Sequence, residues 1–424
     1  MDGKTKAQII RYIDSRCHEI VGFLSELIRF KSINYQTTGD ERQCQEWYAA
    51  RLREMGLSTD LFDVDIDAIS KYPDYVPPQG RNYQGRPNVV GVLKGKGGGR
   101  SLLINGHVDV VPAADESKWK YGPWSGSVAE GRIYGRGASD MKAGLAAAAM
   151  AVKSLTDLKL MPLGDVIIES VVDEESSGNG TLMCVAKGYR ADAGVVVEGT
   201  NLAIQPAHRG VQFLKVIVRG QAGHAAYKRR YVNAIQKMCL IIEALQRYED
   251  DVRQKQLHPL LPAPTISVGM IQGGSAPHIV PDSCEINCDV KYLPYEDGAQ
   301  AREQIERYLS DACKGDPWLR DHPAETVWWL DAGPSETSVD HPFVSILSSA
   351  HQAIKGETPV VSGMAGCCDM RHLIRHGGTP CVVYGPGILE CAHAVDEFVP
   401  VEDLLTATKV LALTILEWCG VSKG

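Results

Sequence analysis

The sequence has no uninterrupted apolar run of the length that a membrane helix needs. A helix that spans a bilayer takes about 18 or more consecutive apolar residues, whereas AGLAAAAMAVKSL is shorter and is interrupted by Lys153. Residues 1–30 also lack the continuous apolar core of a signal peptide, and their apolar residues recur at helical spacing. We therefore expect an amphipathic first helix and a cytoplasmic protein with no membrane partner.

The sequence also lacks an excess of positive charge. Its formal net charge is -8, and nucleic-acid binding needs clustered Lys and Arg, so we expect small-molecule partners and no nucleic acid. Internal repeats and low-complexity linkers are missing as well. The twelve cysteines are scattered, mostly in apolar contexts, which is typical of buried thiols in a reducing compartment.

The length of 424 residues exceeds what one hydrophobic core supports and predicts at least two domains. Apolar runs alternate with helical patterns up to about residue 205 and again from 333 to 424. This order predicts an α/β catalytic domain in which helices cover a mixed, mostly parallel sheet. Between 206 and 332 the pattern becomes β-α-β-β-α-β, which is typical of an α+β ferredoxin-like fold. The smaller domain is therefore predicted to be inserted into the larger one.

Five segments place a metal-ligand side chain beside a strand end or a glycine-rich turn. The segments are GHVD at 106–109, GRGASDMKAG at 135–144, DEESSGNG at 173–180, VVVEGT at 195–200 and CAHAVDE at 391–397. In α/β sheets the carboxyl ends of the strands are where ligands bind. Each segment alone is a weak signal, because an Asp before a helix is usually an N-cap and loop carboxylates are usually solvated.

Together, the five segments supply two histidines and three carboxylates, the donor set that a pair of zinc ions prefers. The predicted ligands are His107, Asp140, Glu175, Glu198 and His393. Asp140 is the candidate bridge, since one carboxylate can join two ions about 3.5 to 4 Å apart. We expect two divalent ions, with Zn2+ first and Mn2+ or Co2+ as alternatives. A single occupied position stays open.

The tandem acids Glu174 and Glu175 suggest divided roles. Glu175 would bind an ion, and Glu174 would stay free to take a proton from a water that the ions activate. Asp109 lies two residues after His107 and is predicted to accept a hydrogen bond from the second imidazole nitrogen. A turn-forming role for Asp109 is the alternative.

These residues resemble the dinuclear metal hydrolases that include acetylornithine deacetylase, succinyl-diaminopimelate desuccinylase, aminoacylase and glutamate carboxypeptidase. The resemblance runs over nearly the whole chain, from GHVDVVP to the GPG and AH segments. It implies a smaller domain that acts as a lid and often forms a homodimer. It also implies that His107 and Glu198 bind one ion, Glu175 and His393 bind the other, Asp140 bridges them and Glu174 is the base.

In the lid segment GQAGHAAYKRRYVNAI, His224 takes the position of a family histidine that polarises the substrate carbonyl in a neighbouring active site. A surface histidine is the alternative. Ala226, Lys228 and Tyr231 depart from the family pattern, as does Cys368. His278 replaces the usual asparagine, and Lys291 replaces an arginine that often pairs with a substrate carboxylate. The candidate substrate-binding residues are Arg209, His278, Lys291 and Arg371.

The predicted activity is hydrolysis of the amide C–N bond of a small anionic substrate, such as an N-acyl amino acid. A dipeptidase or carboxypeptidase is one alternative. Hydrolytic deamination of an activated aromatic or heterocyclic amine is another, because Tyr227 and Tyr231 could stack on a ring. A catalytically silent binding protein is the alternative from another class, and the presence of every proposed ligand and of Glu174 argues against it.

Overall fold

A computed structural model describes residues 2–77, 80–255 and 257–421. The helices are α1 (Gly3–Ser15), α2 (Cys17–Arg29), α3 (Arg42–Glu54), α4 (Ile66–Ile69), α5 (Lys142–Asp157), α6 (Asn179–Ala186), α7 (Ala234–Lys255), α8 (Gly298–Gly315), α9 (Pro317–Asp321), α10 (Pro342–Lys355), α11 (Met370–Arg375) and α12 (Val401–Cys419). Short 3-10 helices cover Glu116–Lys118, Ala225–Arg230 and Leu389–Cys391.

The strands are β1 (Ser58–Asp63), β2 (Pro87–Leu93), β3 (Leu102–His107), β4 (Ser127–Ala129), β5 (Arg132–Tyr134), β6 (Val166–Val171), β7 (Ala193–Val196), β8 (Ala207–His208), β9 (Gly210–Arg219), β10 (Gly223–His224), β11 (Thr265–Gly273), β12 (Ile279–Val280), β13 (Ser283–Tyr292), β14 (Glu325–Ala332), β15 (Ser335–Glu336), β16 (Cys381–Val383) and β17 (Phe398–Pro400).

The larger of two compact units comprises Met1–Pro206, Glu336–Ser362 and Cys368–Gly424. Its six-stranded sheet has the order β1-β2-β6-β3-β7-β16. Strands β6, β3, β7 and β16 run parallel, whereas β2 runs antiparallel to both of its neighbours, β1 and β6. This arrangement confirms the predicted mixed, mostly parallel sheet. Strands β3, β6 and β7 are buried along their whole length, as expected for strands covered by helices on both faces.

The predicted site residues follow the carboxyl ends of the parallel strands of this sheet. Strand β3 ends at His107, β6 ends shortly before Glu174 and Glu175, and β7 ends two residues before Glu198. Because β3 lies between β6 and β7 in parallel register, their carboxyl ends emerge side by side. The sheet topology therefore gathers side chains that are far apart in sequence.

The smaller unit comprises Ala207–Ser335 and Gly363–Cys367. Its antiparallel sheet has the order β11-β13-β9-β14. With α7 and α8 it forms the predicted β-α-β-β-α-β series, and this confirms the ferredoxin-like arrangement. Strand β13 alternates between buried and half-buried residues. Its buried side chains, including Ile286 and Val290, join Met238 and Ile241 of α7 in one apolar core.

Two features differ from a reading of the sequence alone. Residues 3–29 form two helices instead of one, because Arg16 has a non-helical φ of -108° and ψ of 16°. The smaller unit also includes Gly363–Cys367, where the N–H of Gly363 donates to the carbonyl of Leu260 and that of Met364 to Ala207. Among the described helices, none combines the length and the apolar composition that a membrane crossing would require.

Candidate metal centre

Three of the five predicted ligands form one group in the larger unit. The imidazole Nε2 of His107 lies 3.1 Å from Asp140 Oδ1 and 3.6 Å from Glu198 Oε1. His107 is the last residue of β3, Glu198 follows β7, and Asp140 precedes α5. One ligand atom from each residue lies within 4.8 Å of the others, so a single ion can reach all three.

A second group shares Asp140 with the first. His393 Nε2 lies 3.3 Å from Asp140 Oδ2 and 3.1 Å from Glu175 Oε2. The two imidazoles therefore contact different oxygens of the same carboxylate, which is the arrangement that a bridging ligand needs. The structure brings all five predicted ligands together, although they are spread over nearly three hundred residues of sequence.

Glu174 lies beside the first group but belongs to neither group of potential ligands among the described residues. Its Oε2 is 3.9 Å from His107 Nε2, farther than the oxygens of Asp140 and Glu198. Burial raises the pKa of the Glu174 carboxyl well above its usual value. A higher pKa makes the carboxylate a stronger base, which suits proton transfer from a water.

The carboxylates of the cluster favour the binding of positive charge. Burial opposes protonation of His107, yet the charge of Glu198 and the hydrogen bond with Asp140 raise the pKa of its imidazole well above the usual value. Hydrogen bonds with Asp140 and Glu175 raise the pKa of His393 to about 10. Burial also raises the pKa of Glu198 well above its usual value, and the charge of Asp140 adds to this.

The donor set fits divalent cations. Protons on the two imidazoles offset only part of the charge of the three carboxylates, whereas two dications bound to neutral imidazole nitrogens and carboxylate oxygens can offset all of it. Mixed imidazole and carboxylate ligands suit zinc and also accept manganese or cobalt. The residues present therefore fit the two metal ions that the sequence predicts, but they do not select one metal.

Asp109 differs from its predicted hydrogen-bond role. His107 Nδ1 lies 2.8 Å from the backbone carbonyl of Asp109 but 3.7 Å from the carboxylate. The carboxylate instead accepts from Asn34 Nδ2 at 2.9 Å and from the backbone N–H groups of Glu174 and Glu175 at 3.3 Å each. Because Asp109 lies two residues after His107, its backbone carbonyl reaches the imidazole ring. Its carboxylate instead stabilises the turn that carries Glu174 and Glu175.

Two buried residues that the sequence reasoning did not single out support the ligand segments. Glu397 Oε1 accepts the backbone N–H groups of Ser139 at 2.9 Å and Asp140 at 3.1 Å. Glu397 Oε2 lies 2.5 Å from Arg136 Nη1. Both residues belong to segments that the sequence marks as ligand-bearing. The signal available in the sequence was an acidic residue in one such segment and an arginine in another. Spacing alone does not show that Glu397 and Arg136 form a pair.

Three of the predicted substrate-binding cations are engaged with protein groups. Arg209 is buried in the smaller unit, where its guanidinium donates to the carbonyls of Ala365 and Ala263 at 2.8 and 2.9 Å. Lys291 Nζ lies 2.9 Å from the Asp289 carboxylate. In the larger unit, Arg371 is buried and donates to the carbonyls of Ser177 and Cys368 at 2.8 and 3.0 Å.

His224 and His278 are both exposed on the smaller unit. His224 Nδ1 accepts the N–H of Ala226 at 3.1 Å, so its ring is oriented by its own turn. The carbonyl of His278 accepts the N–H of Ala225 at 2.9 Å. Tyr227 packs edge-on to the His224 ring, with centroids 6.1 Å apart. The two histidines therefore lie in two segments that are joined by a backbone hydrogen bond and by the pairing of β10 with β12.

Another group with metal-ligand chemistry consists of Asp74, His372 and His376. His376 Nε2 lies 2.9 Å from Asp74 Oδ2, and Arg375 Nε lies 2.7 Å from the same oxygen. A guanidinium on that oxygen supplies the positive charge that an ion would otherwise bring. This group is a structural network between α11 and the segment after α4.

The chain is similar to known proteins in sequence and in fold. Residues 103–417 match the family model described as Peptidase family M20/M25/M40. N-formyl-4-amino-5-aminomethyl-2-methylpyrimidine deformylase of Bacillus subtilis is 33% identical over 417 residues, covering 92% of this chain and 93% of the relative. Acetylornithine deacetylase of Myxococcus xanthus is 30% identical, covering 78% and 84%.

A solved structure also shares the fold. A dinuclear metal-binding peptidase of the M20 family from Bacillus subtilis superposes with a TM-score of 0.63 at 16% identity, covering 96% of this chain and 99% of that one. The family match spans well over half of the chain, and the curated relatives named above hydrolyse acylated amino groups. This chain therefore belongs to peptidase family M20/M25/M40 and is an amidohydrolase that cleaves the C–N bond of an acylated amino group.

Proposed function

We propose that the chain is a two-metal N-deacylase and that an N-formyl or other short N-acyl group on a small aminomethyl heterocycle is its preferred substrate. The observation that carries the reaction is the sharing of Asp140 between the His107–Glu198 and Glu175–His393 groups, with Glu174 alongside. The substrate class rests on the relatives. Of the deformylase and the deacetylase described above, the deformylase has the higher identity and covers the larger share of both chains.

The protein's own residues divide the work of hydrolysis. Divalent ions bound by the five ligands would polarise the scissile carbonyl and acidify a water. Glu174 takes the proton of the attacking water and passes it to the nitrogen that leaves as the free amine. The Asp109 carboxylate orients Glu174 through its backbone N–H. His224 is the candidate electrophile for the developing oxyanion, as the family resemblance implies.

The contacts of the basic residues support a substrate without an essential carboxylate. Tight carboxylate recognition uses an arginine with both donor edges free for a bidentate pair. The guanidinium groups of Arg209 and Arg371 already donate to backbone carbonyls, and Lys291 is paired with Asp289. The anionic N-acyl amino acid that the sequence suggested is therefore the second candidate.

A substrate panel tests this proposal. The protein, loaded with Zn2+, Mn2+ or Co2+, is given N-formyl-4-amino-5-aminomethyl-2-methylpyrimidine, N-acetylornithine, N-succinyl-diaminopimelate and a dipeptide. Release of formate, acetate, succinate, amino acid and ammonia is measured. We expect the highest kcat/KM for the formylated pyrimidine. A higher value for any amino acid derivative would overturn the substrate class, and ammonia from the ring amine would reveal deamination.

The metal identity, assembly and location are further parts of the proposal. Zinc is proposed first because of the two imidazole ligands, and metal analysis of protein purified without added metal tests it. A homodimer through the smaller unit follows from the family resemblance and is tested by light scattering. None of the twelve cysteines, which all lie in the described part of the chain, is joined in a disulfide, and this supports a reducing cytoplasmic compartment.

A further inference from the structure

We propose that Arg136 and Glu397 form a positioning pair that controls one metal position selectively. The position is the one built by Asp140, Glu175 and His393. Losing the pair should weaken ion binding there much more than at the position built by His107, Asp140 and Glu198. This inference rests on the proposed two-metal function and adds to it a cause for unequal affinity of the two positions.

Glu397 fixes the backbone that leads into the bridging aspartate. Its carboxylate is fully buried, and Oε1 accepts the N–H groups of both Ser139 and Asp140 at 2.9 and 3.1 Å. Oε2 faces Arg136 Nη1 at 2.5 Å, so the negative charge is balanced inside the protein. A charged acceptor on two consecutive N–H groups is a strong constraint.

Arg136 links the Arg136–Glu397 pair to the loop of His393. Its Nη2 donates to the backbone carbonyl of His393 at 3.1 Å. His393 has a φ of 61°, in the left-handed region that non-glycine residues seldom adopt. Such a conformation persists only where the surroundings hold it, and it is common at functional sites. The guanidinium is one of the groups that hold it.

Further bonds join the two segments on either side of the pair. The N–H of Gly135 donates to the carbonyl of Glu397 at 2.9 Å. At the other end, Ser139 Oγ accepts the N–H of Ile388 at 2.7 Å and donates to the Ile388 carbonyl at 2.9 Å. The loop that carries His393 is thus tied at both ends to the segment that carries Asp140.

The two metal positions depend on these ties to different degrees. His107 is the last residue of a central strand and is 1% exposed, and Glu198 follows the neighbouring strand and is 3% exposed. The sheet holds both of them. The His393 side chain is 51% exposed and sits in a loop, so its position relies on the Arg136–Glu397 pair. Asp140 belongs to both positions, and a small effect on the first is therefore expected.

The test compares Glu397→Gln with a matched control, Glu41→Gln. Glu41 forms a buried pair with Arg86 at the same 2.5 Å but bonds to Arg86 instead of a ligand segment. Zinc binding is measured by equilibrium dialysis, and cobalt binding by the absorption of each added equivalent. Both variants keep the size of the side chain, and thermal unfolding is followed in parallel.

We expect Glu397→Gln to weaken binding of the second equivalent by about 10- to 100-fold, the usual effect of removing a ligand's supporting partner. The first equivalent should change less than about threefold, and its cobalt spectrum should stay as in the wild type. Raised metal concentration should restore most of kcat. Glu41→Gln should leave both equivalents unchanged, although its Tm falls.

Equal loss of both equivalents, or wild-type binding of both by Glu397→Gln, would overturn the inference. Ser139→Ala removes only the hydroxyl ties to Ile388, and it should weaken the second equivalent in the same direction if Glu397→Gln does not fold. Unchanged binding by Ser139→Ala in that case would also count against the inference. A wild-type protein that takes up fewer than two equivalents would instead contradict the proposed two-metal function itself.

Discussion

At the scale of single residues, the carboxylates of the site differ in which imidazoles they contact. Asp140 contacts both imidazoles, Glu198 and Glu175 contact one each, and Glu174 lies farther from His107. In the proposed mechanism the same functional group therefore serves as bridge, terminal ligand or base according to its position. This division makes the role of each acid separable by substitution.

Replacing Glu174 should remove catalysis while leaving the ions bound. We expect Glu174→Ala and Glu174→Gln to lower kcat by at least about 10²- to 10⁴-fold, the usual contribution of a general base. Metal content, measured by atomic absorption, should stay near that of the wild type because the five ligands are intact. Unchanged turnover would show that another group takes the proton.

Replacing Asp109 should affect Glu174 more than His107. The carboxylate bonds to the N–H groups of Glu174 and Glu175, whereas the His107 ring is oriented by a backbone carbonyl that a substitution keeps. We expect Asp109→Ala to lower kcat by about 10- to 100-fold with a smaller change in affinity for the first zinc equivalent. Loss of that first equivalent with normal kcat in excess metal would mean that the side chain acts on His107.

The residues that bear chemistry could be proposed from sequence because strand ends followed by His, Asp or Glu are visible in it. Their supporting contacts could not. Which atom of Asp109 faces the ring depends on the turn geometry after β3, and the pairing of Arg136 with Glu397 spans 261 positions. Spacing marks the segments, but only the folded chain shows which of them touch.

At the scale of elements, the alanine-rich helix α5 packs closely against the residues that follow β7. A Cβ added to Gly144 would lie 1.8 Å from the carbonyl oxygen of Val197, next to Glu198. Backbone cannot move aside as a side chain can, so this glycine is required for the close approach of helix and strand end.

We expect Gly144→Ala to lower the free energy of unfolding by about 1 to 3 kcal/mol and to weaken zinc binding through Glu198. Gly22→Ala is the matched control, since Gly22 lies inside α2 with open space around it. That variant should gain up to about 1 kcal/mol from helix propensity. Equal chemical denaturation midpoints for the two variants would contradict the packing argument.

The bond network of α11 predicts an acid-sensitive contribution to stability. Burial opposes ionisation of Asp74, but the hydrogen bond with His376 and the charge of Arg375 lower its pKa below the usual value. A pKa that is lower in the folded state stabilises the protein above the unfolded value of about 3.9. This stability is lost as the pH falls through the folded value.

Asp74→Asn should therefore be less stable than the wild type at neutral pH, and the difference should shrink below about pH 4. Free energies of unfolding measured from pH 3 to 7 check this. A difference that is constant over the whole range would show that the carboxylate charge plays no part.

Element order was predictable because the periodicity changes clearly between strands and helices. Strand β13 alternates over its length, and α12 carries apolar residues on all sides because it is covered by its neighbours. The break at Arg16 cannot be predicted from the sequence, since no Gly or Pro marks it and the apolar spacing continues across it. Local backbone geometry without a breaker residue leaves no sequence signal.

At the scale of the whole molecule, the chain places one interrupted α/β unit and one ferredoxin-like unit in a single polypeptide. The return to the α/β pattern after the insertion was visible in the sequence. The transfer of Gly363–Cys367 to the smaller unit was not, because it depends on a few backbone bonds to Leu260 and Ala207.

Removing the ions should affect the whole larger unit as well as activity. The carboxylates around Asp140 repel one another when no cation balances them. We expect chelation with EDTA to abolish turnover and to lower Tm, and two equivalents of zinc should restore both, since ligands that bind only the folded state stabilise it. A Tm that is identical with and without metal would contradict this coupling.

The bridging of two ions by Asp140 can be tested by anomalous diffraction from crystals of the zinc-loaded protein. We expect two peaks about 3.5 to 4 Å apart, each about 2.0 to 2.2 Å from one oxygen of Asp140. One peak should contact His107 and the other His393. Zinc peaks located elsewhere, with none between these two imidazoles, would contradict it.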